Sequence, residues 1–247
     1  IMFNFDKRSL YIVLGIIVLW NLAGYINNPN SLLSLVLSLP AVIIAMTFHE
    51  FAHAFAADKL GDDTPRREGR LTLNPLKHIE PVGFIMLVFA KFGWGRPVQI
   101  NPSRFKKNIS VSKGEAIVSF AGPLMNIILA FVSAFILGIM IKFNLFSNMK
   151  LIYAELITVF FMQLICVNIG LGVFNLIPLP PLDGSKILRH FLPRSAQVWF
   201  DNNQYIFYIV FIAIWVLGIA SIIISPVINL IIKGILTIVS YALGINI

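Results

Sequence analysis

The chain has 247 residues, of which 58% are hydrophobic and only 12% charged, with a net charge of +8. Its apolar residues come in long blocks, which excludes an ordinary water-soluble domain and marks an all-α, polytopic membrane protein. The basic residues sit in short segments between those blocks, so the charge follows the positive-inside rule and implies no nucleic-acid partner.

In chain order, apolar blocks fall at about residues 10–26, 32–57, 115–141, 152–177, 204–224 and 227–246. Each meets the roughly 20 residues that a spanning helix needs, so about six transmembrane helices are expected. The first follows Asp6, Lys7 and Arg8 and has no small-residue cleavage pattern after it, which predicts a retained helix rather than a signal peptide. No appended globular module is expected, so residues 1–247 read as one membrane domain. It has a core at about 32–190 and a C-terminal helix pair at about 204–246.

Between the second and third blocks, VGFIMLVFAKFGWG (82–95) is too short to span comfortably and is interrupted by Lys91 and glycines. It reads as a re-entrant or interfacial piece. RLTLNP (70–75) and RPVQINP (96–102) alternate polar and apolar residues and end at proline, which predicts short strands forming a small sheet beside the second helix.

Six spans would put both termini on one side of the bilayer. That side receives Lys7, Arg8, every basic residue from Lys59 to Lys113, Lys186, Arg189 and Arg194. Only Lys142, Lys150 and Lys233 fall elsewhere, which predicts a multi-pass protein of the cell membrane with cytoplasmic termini. Cys166, the single cysteine, excludes an intrachain disulfide and a cysteine-based zinc site.

The second block ends in FHEFAHAFAADKLGD (48–62). Residues four apart share a helix face, so His49 and His53 can direct ring nitrogens at one point and form a zinc-binding pair. Glu50 lies beside them, within reach of a water, in the place of a general base. Ionisable groups are costly in a membrane segment, so their presence there points to function.

A catalytic zinc site needs a third protein ligand. His78 and His190 sit in basic, loop-like stretches, and Glu115 and Glu155 stand at the starts of apolar blocks. Asp183 differs from these: in NLIPLPPLDGSKIL (175–188) it follows three prolines and precedes Gly184, where the fourth span must break. A broken helix at membrane depth is tolerated where it lines a wet cavity.

Together, FHEFAH, SFAGPLMN (119–126) and NLIPLPPLDG (175–184) closely resemble the site-2 proteases, the intramembrane zinc metalloproteases, and in particular their compact prokaryotic branch. GRLTLNPLKHIEPVG (69–83) and WGRPVQINPSRF (94–105) are similar to that family's connection between the second and third helices, so the resemblance covers roughly residues 40–190. It implies that His49, His53 and Asp183 are zinc ligands, that Glu50 is the catalytic base, and that Asn175 hydrogen-bonds the substrate or transition state. Gly122, Pro123 and Asn126 match a third-helix motif, which implies close helix packing with Asn126 bonded to a neighbour. His78 matches a family histidine in the cytoplasmic connection and is not expected to be a ligand here. Glu80 stands where an aspartate is usual, and the chain shows no PDZ or CBS sequence, which leaves regulation through such domains without support.

The expected activity is therefore hydrolysis of a peptide bond within or near a transmembrane segment of a membrane-protein or peptide substrate, in the lipid bilayer. Zn2+ is the expected cofactor. The alternative is a membrane metal carrier that uses the same His49, His53 and Asp183 cluster, and Glu50 separates the two because a carrier needs no base beside its ion. A catalytically silent scaffold has no use for the intact motif. A prenyl-protein zinc protease takes a glutamate as third ligand, and neither Glu115 nor Glu155 has the flanks for that role.

Overall fold

A computed structural model describes residues 15, 16, 19, 29–90 and 95–245. The described residues are helical and contain no strand. We number the helices α1 (Pro29–Leu60), α2 (Thr64–Arg67), α3 (Pro81–Ala90), α4 (Val111–Lys142), α5 (Leu151–Asn175), α6 (Asp183–Phe191), α7 (Arg194–Asn202), α8 (Gln204–Val216) and α9 (Ile219–Leu243).

Four helices, α1, α4, α5 and α9, are long and apolar enough to cross a membrane. The expected first span, residues 10–26, lies outside the described residues except for Gly15, Ile16 and Leu19, which are helical. The expected fifth span, 204–224, is corrected. α8 has 13 residues, about 20 Å of helix against roughly 30 Å of hydrocarbon. The chain turns at Gly218, whose φ of +69° suits a residue without Cβ, and residues 219–224 join the last helix instead. Pro226, which reads as a boundary in the sequence, sits inside α9.

The expected small sheet is also corrected. Residues 71 and 72 form bends, 73 and 74 lead into a 3-10 turn at Pro75–Lys77, and 95–101 runs without ladder pairing. Pro75, Pro97 and Pro102 have no N–H to give a ladder. Side chains take the neighbouring main-chain groups. The Arg70 guanidinium donates to Lys77 O, and to Arg96 O and Pro97 O at 3.4 Å each. The buried Asp62 carboxylate accepts from Asn101 N at 2.6 Å and from Thr64 N at 3.0 Å. The 82–95 piece becomes the ten-residue α3, with residues 91–94 outside the described set.

α1, α4 and α5 pack against one another, α9 covers α4 and α5, and α6 lies on α4. Lipid tails are as apolar as leucine, so helices in a bilayer associate by close packing, and small residues permit it. Ala41, Ala45, Ala52, Ala54 and Ala57 of α1 are buried, as are Ala130 and Ala134 of α4. The latter two meet Ile165 and Ile169 of α5 and Ile235 and Val239 of α9.

Candidate metal centre

α1 carries His49 and His53 one turn apart, with their rings edge to face and their Nε2 atoms 3.0 Å from each other. The third donor comes from the break after α5. Turns at Leu176–Leu182 reverse the chain, and α6 starts at Asp183, where a carboxylate suits a helix N-terminus. Gly184 makes this reversal possible: a Cβ there would lie 2.3 Å from Leu176 O and 2.4 Å from Ile177 O. The Asp183 Oδ2 atom thereby lies 3.2 Å from His49 Nε2 and 3.2 Å from His53 Nε2.

Both imidazoles are oriented from behind. His53 Nδ1 donates to Val118 O at 2.7 Å, an atom that can only accept. His49 Nδ1 lies 2.6 Å from Asn126 Oδ1. The Asn126 amide is fixed because its Nδ2 donates to Ala45 O at 3.1 Å and to Asn168 Oδ1 at 2.9 Å. Asn168 is fixed in turn, with its Nδ2 donating to Leu164 O at 2.8 Å. Rings held through Nδ1 in this way turn their Nε2 atoms toward each other and toward the Asp183 carboxylate, which is the arrangement of donors that a cation at the centre would join.

The donor set fits zinc. Zn–N and Zn–O bonds of about 2.0–2.1 Å in tetrahedral geometry separate neighbouring donors by about 3.3 Å, and the observed triangle has sides of 3.0, 3.2 and 3.2 Å. Among the described residues, this is the one group of His, Cys, Asp or Glu side chains placed to hold a metal. His78 is fully buried in the α2–α3 connection, donating from Nε2 to Thr72 O at 2.7 Å, and His190 meets Ser112 Oγ at 3.2 Å. Glu115 pairs with Arg189 at 3.6 Å, and Glu155 is exposed on α5.

The cluster opens onto a cavity of about 370 Å³ that Glu50, Ser119, Asn175 and Lys186 also border. Glu50 has no hydrogen bond among the described residues, and Gly95 passes so near it that a Cβ there would lie 3.1 Å from Oε1. Asn175, the last residue of α5, lines the cavity with its Nδ2 donating to Leu171 O at 3.0 Å. Gly122 of α4 abuts both rings: a Cβ would lie 2.5 Å from His53 Nε2 and 2.7 Å from His49 Cε1. Sequence reasoning assigned Gly122 to helix packing and missed that it faces the imidazoles. Asn168 was missed altogether, although an asparagine inside an apolar run is a signal for a buried polar contact.

These features fit a helical membrane protein that can hold a metal, with a carboxylate beside the cluster that has no hydrogen bond among the described residues. Comparison with known proteins gives the family. Residues 38–218 match the profile described as Peptidase family M50. YwhC of Bacillus subtilis (strain 168) is 39% identical over 188 residues, which cover 76% of this chain and 84% of that protein. MJ0611 of Methanocaldococcus jannaschii is 34% identical over 193 residues, 76% of this chain and 86% of that protein. Rip2 of Mycolicibacterium smegmatis is 30% identical over 179 residues, 71% and 65% respectively. All three are named as candidate zinc metalloproteases. No solved structure matches the chain.

The chain belongs to peptidase family M50, the site-2 protease family of zinc metalloproteases. Its cofactor is zinc, and the family implies peptide substrates.

Proposed function

We propose that this chain hydrolyses a peptide bond within or near a transmembrane segment of a membrane-protein substrate, as in regulated intramembrane proteolysis. The observation that carries this reading is the Glu50 carboxylate, without a hydrogen bond among the described residues, bordering the same cavity as the His49, His53 and Asp183 triangle. When bound there, zinc supplies a Lewis acid for the scissile carbonyl and for ionising a water. His49, His53 and Asp183 are the ligands in this reading. The Asn126 and Val118 contacts keep the two rings in the tautomer that binds metal. Glu50 takes the proton of the attacking water and gives it to the leaving amine. Asn175 hydrogen-bonds the substrate with the part of its amide that Leu171 O leaves over.

A substrate helix must unwind before its peptide bonds can be attacked. Val98, Gln99 and Ile100 border or adjoin the cavity, and their main-chain groups have no partner among the described residues. They suit an unwound segment that adds alongside them by main-chain hydrogen bonds. Helix-weakening residues near the cut then favour cleavage.

The bias of basic residues supports cytoplasmic termini in a cell-membrane protein. α1 then runs inward, and His53 lies about 10 Å of helix from its cytoplasmic end at Leu60. A short polar path suffices to bring water to the site.

The test is reconstitution of the full chain with single-span substrates, comparing wild type, Glu50→Gln and a chelator-treated sample. Loss of cleavage in both treatments is expected. Cleavage that survives both treatments would overturn the zinc mechanism with Glu50 as its base, whereas wild-type protein that binds zinc and cleaves no substrate would favour the metal carrier.

A further inference from the structure

Buried hydroxyls in these helices generally bond back to their own backbone. Ser133 Oγ donates to Leu129 O at 2.7 Å, Ser38 Oγ to Leu35 O at 2.7 Å and Ser185 Oγ to Leu182 O at 2.6 Å. Ser119 of α4 does not. It is 1% exposed, its Oγ has no partner among the described residues, and the residue borders the cavity. Thr47 is the other buried hydroxyl without a partner among the described residues, and it does not border the cavity.

A hydroxyl withdrawn from water and left unbonded is destabilising, so a fold that keeps one at a cavity wall is short of a ligand there. The position is specific. Ser119 follows Val118, whose carbonyl anchors His53, and precedes by one turn Gly122, which abuts both imidazoles. The Asn175 amide, a second neutral side-chain donor on the wall, already gives a hydrogen to Leu171 O. Ser119 therefore holds a neutral donor, without a partner among the described residues, on a residue that lines the cavity onto which the cluster opens.

We infer that Ser119 is a further catalytic residue, whose hydroxyl donates a hydrogen bond to the oxygen of the scissile carbonyl as that oxygen gains negative charge. This rests on the proteolytic reading above. No covalent bond forms to Ser119, and its proton stays on Oγ. Such a bond strengthens as charge develops, so its loss lowers kcat more than it raises KM.

The test uses the zinc-loaded full chain in detergent, with a fluorogenic single-span substrate carrying Gly and Pro near its centre. Zinc content and binding of a peptidyl phosphonate, which mimics the charged oxygen, are measured in parallel. Ser119→Ala is expected to keep its zinc and its KM, to lose at least about tenfold in kcat, and to lose phosphonate affinity by a similar factor. Ser119→Thr, which keeps the hydroxyl, restores both. Wild-type kcat in Ser119→Ala overturns the inference. So does loss of zinc, which would make the residue structural, and so does unchanged phosphonate affinity, which would assign the hydroxyl to a water. Glu50→Gln is run alongside. If the wild type cleaves no substrate, or if cleavage survives both Glu50→Gln and chelation and so is not made at this site, the proteolytic reading itself fails, whereas an inert Glu50→Gln beside a fully active Ser119→Ala removes only the role of Ser119.

Discussion

His49 Nδ1 and Asn126 Oδ1 lie 2.6 Å apart, and the asparagine is buried between α1, α4 and α5 with both ends of its amide committed. This contact sets which nitrogen of His49 faces the centre of the His49, His53 and Asp183 cluster. Outer contacts of this kind are typically worth about 10–100-fold in metal affinity. Asn126→Leu is therefore expected to weaken zinc binding by about that factor, measured by competition with a chelating dye. Asn168→Leu, which acts one bond further out, is expected to weaken it less.

Gly122→Ala tests the close approach of α4 to the rings. The added methyl would lie 2.5 Å from His53 Nε2, so the imidazole has to leave its position. Zinc content is expected to fall while far-UV circular dichroism keeps its helical signal, because the clash is with movable side chains and not with backbone. Full zinc occupancy in this variant would contradict the ring positions.

Gly184→Ala meets backbone instead, with its methyl 2.3 Å from Leu176 O. The turn before α6 has to open, which carries Asp183 away from the histidines. Overpacking of this kind costs about 1–3 kcal/mol. A lowered thermal midpoint together with lost zinc is expected, in contrast to Gly122→Ala.

The far end of α6 is held by Arg189, which donates through Nε at 2.9 Å and Nη2 at 2.7 Å to Asp201 of α7. The Arg189 hydrogen bonds hold the Asp201 carboxyl below the usual carboxylate range. A depressed folded pKa contributes stability above the ordinary carboxylate pKa of about 4, and that contribution fades as pH falls through the folded value. The pair is partly exposed, so its contribution is at most about 1 kcal/mol. Asp201→Asn should lower the thermal midpoint slightly at neutral pH, and the gap to wild type should close as the pH drops well below 4.

Much of the site is legible along the chain because it depends on a single helix. His49 and His53 share a face through the 3.6-residue turn, and Glu50 is placed by the same geometry. The proline-rich stretch before Asp183 announces a break because proline cannot continue a helix. The alternation at 70–75 and 96–102 misled for an equally physical reason. Alternation describes extended chain, but a sheet needs free main-chain partners, and Arg70 and Asp62 hold groups that a ladder would use. The turn at Gly218 was also hidden, because Pro226 gives the stronger local signal and packing overrode it.

The sequence by itself determined a multispan helical protein, a histidine pair with a neighbouring glutamate, and a helix break beside an aspartate, since covalent geometry and hydropathy act within one segment. Only the tertiary structure decided that Asp183 meets both rings, that Asn126 and Asn168 orient His49 from behind, that Gly122 makes room for the imidazoles, and that Ser119 keeps its hydroxyl unspent. Those relationships join different helices, and the distance between helices is set by how their side chains pack, which no spacing along a single segment encodes.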